Sequence, residues 1–390
     1  MHHDILSAMS ERKACLLVLL DLTSAFDTVD HAQVLGVLED LGLSGIPLQW
    51  FDSYLKDRQQ VVSISGSKSA PRELTSGVPQ GSVLGPVLFT LYTASLGRLI
   101  ESFGFSYHFY ADDTSVYITF ERSDTAIAIE RLQQCISSVR NHLSQKKLKM
   151  NATKTELVVI ASKTMSRRME DVPAIVIGDD LVSVSNAVKY IGVEMDKHLS
   201  MDAYINSICK TCHYHLYKIG RIRHLLNRRA CEQLIHAFIS SKLDYANAIL
   251  CHLPKRLTGK LQKIQNTAAR IVTGVRRREH ITPILRELHW LPVAQRIEFK
   301  LCLLVYKCVH GMAPEYLKEL IKPPENRRDL RSTTLNRLHV PISNGSLSHR
   351  TFGIMGPMLW NELDVELKNT CDFNSFKRKL KTFFFTKAFY

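Results

Sequence analysis

The hydrophobic positions follow one rhythm up to about residue 200 and another after it. Residues 15–20 form an unbroken apolar run that stops on Asp21, which predicts a short strand buried on both faces. Residues 31–42 read as a helix closing at Gly42, and residues 58–65 alternate as a strand. Residues 75–85 are a Gly/Pro loop and 86–100 a helix. Aromatic and β-branched runs at 105–110 and 114–120 flank Ala111-Asp112-Asp113, a hairpin signature. Ile129, Leu132, Ile136, Val139 and Leu143 recur at spacings of three and four, so 124–147 is an amphipathic helix. Short strands are expected at 156–161, 174–177, 181–184 and 188–193. From 201 onward helices take over. One stripe runs Ile205, Ile208, Cys212, Leu216, Ile219, Ile222, Leu226; another runs Leu257, Leu261, Ile264, Ala268, Ile271, Val275. The faces opposite carry Lys210, Lys218, Arg221, Arg223, Lys260, Lys263 and Arg270. Residues 311–329, with three prolines, are the best linker candidate.

The first half thus reads strand, helix, strand, loop–helix, hairpin, long helix, strand. An α+β sheet of that order brings Asp21 beside Asp112 and Asp113. Composition excludes collagen-like and wholly disordered chains: 45% of residues are hydrophobic and 23% charged. Charge adds more. The net of +14 is segregated, with −4 in residues 1–200 and +18 in 201–390. Such asymmetry points to a polyanion partner for the second half, nucleic acid above all. A merely solvated basic surface would not need the segregation.

No stretch of eighteen apolar residues exists, and no signal peptide opens the chain. The nine scattered cysteines read as reduced thiols of an intracellular protein, nuclear or cytoplasmic. Cys209-Lys-Thr-Cys212 has no second cysteine pair, and Cys212 lies on an apolar stripe, so a zinc site is not expected.

Three carboxylates converging at strand ends can hold two Mg²⁺ ions about 4 Å apart for phosphoryl transfer. An Asp-Asp turn alone is a weak signal, because Asp suits turns. The chain contains a second one: Gly178-Asp179-Asp180, also between two predicted strands. Chemistry alone does not choose between them.

Motif order does. Leu19-Leu20-Asp21-Leu22-Thr23-Ser24-Ala25-Phe26-Asp27 resembles motif A of reverse transcriptases. Gly77-Val78-Pro79-Gln80-Gly81-Ser82 resembles motif B, and Tyr110-Ala111-Asp112-Asp113 motif C. Residues 149–156, with Lys154, resemble motif D, and Tyr190-Ile191-Gly192-Val193 motif E. The wording is that of non-LTR (LINE-type, jockey- and chicken-repeat-like) retrotransposon polymerases. Ser241-Lys242-Leu243-Asp244-Tyr245 and Leu288-His289-Trp290-Leu291-Pro292 continue the likeness past the polymerase, so it covers essentially the whole chain.

The resemblance implies an α+β fold: a reverse-transcriptase palm, a ferredoxin-like sheet with helices, then a mainly α-helical thumb and C-terminal region. The corresponding domains are 1–200 (palm with partial fingers), 201–275 (helical, thumb-like) and 276–390 (basic C-terminal region). The implied activity is RNA-directed DNA polymerisation from dNTPs on an RNA template and a DNA primer. Its cofactor is Mg²⁺, two ions, or Mn²⁺ in their place. Asp21 and Asp112 would bind the metals, with Asp113 completing the site. Leu22 would lend its backbone to a metal and the incoming triphosphate. Phe26 aligns with the gate that excludes a ribose 2′-OH, its alternative being core packing. Gln80 and Gly81 would lie against the nascent base pair and template. Lys154 is the cation for the leaving pyrophosphate, its alternative being a solvated lysine. Tyr190, Ile191, Gly192 and Val193 would grip the primer. Asp179 and Asp180 then fall between motifs D and E as a turn, and Asp27 and Asp30 are structural.

Only twenty residues precede Asp21, where the family carries its fingers. The resemblance is therefore to an N-terminally truncated polymerase. A competing expectation is a catalytically inactive remnant that only binds nucleic acid. A third, an RNA-dependent RNA polymerase built on Gly178-Asp179-Asp180, is opposed by Phe26.

Overall fold

The structure is a computed structural model that describes residues 1–169, 172–324, 336–342, 345 and 347–390. The chain divides into two units. One comprises Met1, 12–192 and 196–198; the other comprises 2–11, 193–195 and 199–390.

The first unit is built on a five-stranded sheet. Strand β1 (Ala14–Leu20) runs through its middle, as its continuous burial requires. Just beyond it lies the short β2 (Leu22–Thr23). Four helices follow, His31–Asp40, Ile46–Leu55, α1 (Gly85–Thr93) and α2 (Ser95–Ser102), and then β3 (Ser106–Tyr110) and β4 (Asp113–Phe120). The long helix α3 (Thr125–Gln145) leads through β5 (Lys149–Met150) to β6 (Glu156–Ile160). The last strands of the unit used below are β7 (Ile175–Ile177), β8 (Asp180–Val182) and β9 (Val184–Ser185). The order across the sheet is β9-β6-β1-β4-β3. β1 is antiparallel to both β4 and β6, and β3 to β4; only the edge pair β6–β9 is parallel. Strand, helices, two hairpin strands, helix, strand along the chain, with the last of these strands beside the first in the sheet, is the ferredoxin-like arrangement. The fold is therefore α+β. Ala14, Leu16, Val18 and Leu20 on one face of β1 join the core with Leu88, Ile100, Leu132 and Ile136. Burying such side chains stabilises by roughly 1.5–3 kcal/mol each.

Three expectations change. Residues 58–65 form no continuous strand. Gln59–Gln60 pairs with Arg72–Glu73, and Ser63–Ile64 with Ser67–Lys68, all exposed. Alternation there has no core to face. The helix expected at 86–100 is two helices. The Thr90 and Thr93 hydroxyls donate to the carbonyls of Pro86 and Phe89 (2.8 and 2.9 Å), a back-bonding that bends helices. The strand expected at 188–193 stops at Tyr190, because Ile191 and Gly192 both take positive φ (43° and 74°).

The second unit is helical. Its helices include α4 (Asp202–Ile222), α5 (Lys255–Thr273), α6 (Ile281–Glu287), α7 (Val293–Val309), α8 (Phe352–Glu362) and α9 (Phe373–Phe389). The expected stripes are buried from Ile205 to Ile219 on α4 and along α5, where Val272 rather than Ile271 closes the face. Ile222 is exposed. Of the seven basic residues expected on open faces, Lys210, Lys218, Arg221 and Lys263 are exposed, Lys260 and Arg270 are half-buried, and Arg223 is committed internally. It donates to the carbonyls of Ile271, Val272 and Leu226 (2.7, 2.9 and 2.7 Å), satisfying the end of α5. The linker expected at 311–329 contains a helix, Glu315–Lys318; residues 325–329 lie outside the described residues. Among the described residues no helix is long and apolar enough to cross a membrane.

Candidate active site

The sheet register decides which carboxylates meet. Leu20, the last residue of β1, pairs with Thr114, so Asp21 emerges next to Asp113 at the start of β4. Tyr110 pairs with Asp113, leaving Ala111-Asp112 as a two-residue turn. Ala111 takes φ 55°, the left-handed value such turns demand. One strand end and one hairpin thus bring Asp21, Asp112 and Asp113 together.

Their charges interact. Burial pushes the Asp113 carboxyl above its ordinary range, and the negative charges of Asp112 and Asp21 push the same way. Asp21 Oδ2 is buried and, among the described residues, accepts no hydrogen bond. Lys154 Nζ lies 3.9 Å from it, beyond hydrogen-bond reach, on a side chain that is 70% exposed.

Lys154 is delivered by a second local pairing. Leu22 pairs with Met150 and Thr23 with Lys149, and the Asn151 N–H donates to the Asp21 carbonyl (2.9 Å). The Leu22 side chain is buried. The chain then makes one 3₁₀ turn, Ala152–Lys154, fixed by the Thr155 hydroxyl donating to the Asn151 carbonyl (2.8 Å).

Asp21, Asp113 and Lys154 line a cleft of about 130 Å³ that also holds Lys189, Tyr190 and Ile191; Asp112, in the adjoining turn, and Leu22 are not in its lining. Of the residues expected to act, Asp21, Asp113, Lys154, Tyr190 and Ile191 share this cleft. Gly192 completes the turn, and Val193 is a buried strand residue. Sequence reasoning passed over Lys189 and Glu156, which also line it. The Lys189 N–H donates to Glu156 Oε2 (3.3 Å). Both sit inside or beside the quoted motifs, and that adjacency was the available signal.

Phe26, Gln80 and Gly81 form a neighbouring cluster that does not line the cleft. The segment after Asp21 is clasped to the loop at 76–80. The Gly77 N–H donates to the Val29 carbonyl and the Val78 N–H to the Phe26 carbonyl (2.8 Å each). Gln80 Nε2 donates to Asp27 Oδ1 (2.8 Å), and the Ser76 hydroxyl to the Asp27 carbonyl (3.1 Å). Gly77 has φ 91°, and a Cβ there would lie 2.9 Å from the Asp27 carbonyl oxygen. Only glycine fits. Phe26 is half-buried against Phe89, ring centroids 4.8 Å apart. Gly81 is exposed with φ 74°. Asp30 caps helix His31–Asp40 and pairs with Lys147, the role expected of a structural carboxylate. Asp179 and Asp180 form the β7–β8 hairpin and are absent from the cleft lining.

The donor set fits a divalent cation completed by substrate. Among the described residues no three His, Cys, Asp or Glu side chains make a self-contained metal site. Mg²⁺ in phosphoryl-transfer sites uses one or two carboxylates, with phosphates and water filling the remainder. A buried carboxylate oxygen with no donor among the described residues, and a carboxyl raised in proton affinity by burial and by like charges, are the groups such an ion would satisfy.

The family described as "Reverse transcriptase (RNA-dependent DNA polymerase)" matches residues 2–195. A "Probable RNA-directed DNA polymerase from transposon BS" of Drosophila melanogaster is 28% identical over 308 residues, covering 75% of this chain and 33% of the relative. The "RNA-directed DNA polymerase from mobile element jockey" of Drosophila funebris is 25% identical, covering 69% and 29%. The X-element polymerase of D. melanogaster, also named as probable, is 28% identical, covering 69% and 29%. The chain therefore spans about a third of the length of these curated relatives. Among solved structures, telomerase from Candida albicans resembles it with a TM-score of 0.36 at 11% identity, covering 76% of this chain and 52% of that one. Apo telomerase from Candida tropicalis gives 0.38 at 12%, covering 80% and 53%. Through residues 2–195, the chain belongs to the reverse transcriptase family, in its non-LTR, LINE-type branch.

Proposed function

We propose that the chain carries out RNA-directed DNA polymerisation, transferring nucleotides from dNTPs to a primer 3′-OH on an RNA template. The observation that carries this is the meeting of Asp21 with Asp112 and Asp113, enforced by the β1–β4 register. Asp21, Asp112 and Asp113, with the Leu22 backbone, would hold Mg²⁺, or Mn²⁺ in its place. When bound, the metal neutralises phosphate charge and lowers the pKa of an attacking hydroxyl. The chain's own residues do the rest. Lys154, exposed beside Asp21, is placed to meet the charge of the departing pyrophosphate. Phe26 presents an apolar ring to the sugar, with no hydroxyl to accept or donate, and so disfavours a 2′-OH. Gln80, oriented by Asp27, and Gly81 face the nascent pair. Tyr190, Ile191, Gly192 and Val193 hold the primer end. Residues 1–200 act as the palm with partial fingers, 201–275 as the thumb, and 276–390 as a basic nucleic-acid-binding region.

The test is primer extension on an RNA template with Mg²⁺ and dNTPs, wild type against Asp112→Asn. Incorporation by the wild type alone supports the assignment. Equal incorporation by both removes it. Salt-dependent binding with no incorporation by either identifies a binding-only remnant.

A further inference from the structure

Outside the polymerase cleft, one surface of the second unit combines ring faces with cationic charge. Helices α6 and α9 line a cleft of about 730 Å³, within the range of small-ligand sites. Its walls are Arg286, His289, Phe385, Phe389 and Tyr390. The His289 ring lies nearly parallel to Phe385, with 14° between planes and centroids 5.5 Å apart. Phe385 continues to Phe389 at 4.7 Å. The Arg286 guanidinium sits over the Tyr390 ring, 5.1 Å from its centroid.

The rings do not close into the core. His289 is exposed, Phe385 and Phe389 are half-buried, and Tyr390 is 82% exposed. The acid in the cleft wall, Glu287, pairs with Arg228 (2.6 Å), so its charge is compensated locally. His289 takes φ 54°, a left-handed backbone that turns the chain out of α6 just where its ring joins the row. Three arginines, Arg276, Arg277 and Arg278, are exposed shortly before α6. Exposed and half-buried rings beside an arginine plane, in a half of the chain with net charge +18, match one ligand chemistry: unpaired nucleobases on a phosphate backbone. A duplex, whose bases are already stacked, offers the cleft no free faces.

We propose that the α6–α9 cleft is a stacking site for single-stranded nucleic acid, separate from the polymerase cleft. It takes one or more unpaired bases in the space bounded by the stacked His289–Phe385 pair on one side and the Arg286–Tyr390 pair on the other. The proposal rests on the reading of the basic half as a nucleic-acid-binding region and gives residues 276–390 a specific task within it.

The test is fluorescence anisotropy with the full chain and four labelled probes of equal length: uridine RNA, thymidine DNA, an abasic DNA strand and a DNA duplex. Arg286→Ala and His289→Ala remove exposed groups; Phe385→Leu removes a ring and keeps apolar bulk. Circular dichroism checks each fold. Stacking of 1–3 kcal/mol per base predicts roughly a tenfold weakening on RNA or DNA single strands for His289→Ala and Phe385→Leu. The abasic strand and the duplex bind wild type and these variants equally, and the salt slope is unchanged for them. Preference for uridine or thymidine strands names the source and supports the site either way. Equal binding of base-bearing strands by wild type and both ring variants overturns the proposal while leaving the basic half a binder. Absence of all binding by the wild type overturns both readings.

Discussion

The first unit contains two hairpins with adjacent aspartates, and they differ in what lies beside them. Tyr110 to Asp113 closes β3 and β4 inside the five-stranded sheet, with the end of β1 alongside. Ile177 to Asp180 closes β7 and β8, a separate two-stranded sheet. Beside the first turn stands a third carboxylate, Asp21. Over the second stands a cation: the Arg140 guanidinium is 3.1 Å from where a Gly178 Cβ would be. One pair of aspartates is held against another acid, and burial, with the charges of Asp112 and Asp21 acting the same way, raises the proton affinity of Asp113. The second pair lies near positive charge on an exposed turn. A repeated dipeptide thus acquires different electrostatic settings from its neighbours in space. A cluster of three acids that Lys154 reaches only at 3.9 Å, on Asp21, is the arrangement that calls for a metal ion.

The largest effect that can break this comparison is on catalysis. Asp21→Asn should lower nucleotide incorporation by about 10²–10³-fold, the loss typical of removing one preorganised electrostatic group. Thermal denaturation with and without Mg²⁺ should show that the variant also loses the metal's stabilisation, which follows binding by mass action. Retained Mg²⁺ stabilisation in Asp21→Asn would place the ion elsewhere.

Next in size is sugar selection. Phe26→Val should raise ribonucleotide use relative to deoxyribonucleotide by roughly 10- to 100-fold, as a pocket-volume change of 1–3 kcal/mol allows. If Phe26 only packs on Phe89, urea titration will show lost stability while single-nucleotide incorporation ratios stay fixed.

Smaller again is the clasp that positions Phe26. Gly77→Ala combines a positive φ with a 2.9 Å approach to the Asp27 carbonyl. It should destabilise by about 1–3 kcal/mol, read as a lower urea midpoint. An unchanged midpoint would mean the loop at 76–80 yields freely.

The smallest effect concerns Asp113. Its folded proton affinity is raised above the unfolded value. The carboxyl's contribution to stability is therefore full below the unfolded pKa and is lost as pH rises through the folded one. Asp113→Asn should make the metal-free chain slightly more stable near neutral pH, by under about 1 kcal/mol after solvent screening. The advantage should vanish in acid, where the wild-type carboxyl is protonated.

Much of this was legible in the chain itself. The run at 15–20, the hairpin around Asp112 and the amphipathic helix at 124–147 are local patterns, and each forms as its periodicity dictates. The choice between the two Asp-Asp hairpins was not local. Resemblance to reverse-transcriptase motifs made it from sequence, and the β1–β4 register gives the physical counterpart. The rest was hidden for the same reason. The clasp of Gly77 and Gln80 on the segment after Asp21, the capping of α5 by Arg223, and the place of Lys189 in the cleft all join residues remote in sequence. Residues 58–65 misled because alternation needs a core to face, and pattern alone does not say whether one is there.

The central claim is that β1 makes the first hairpin, and not the second, the reacting one. Primer extension on an RNA template with Asp112→Asn and Asp180→Asn side by side tests it most directly. The account predicts that Asp112→Asn loses incorporation while Asp180→Asn stays within about twofold of wild type, as surface substitutions do. Loss of incorporation in Asp180→Asn with activity retained in Asp112→Asn would contradict it.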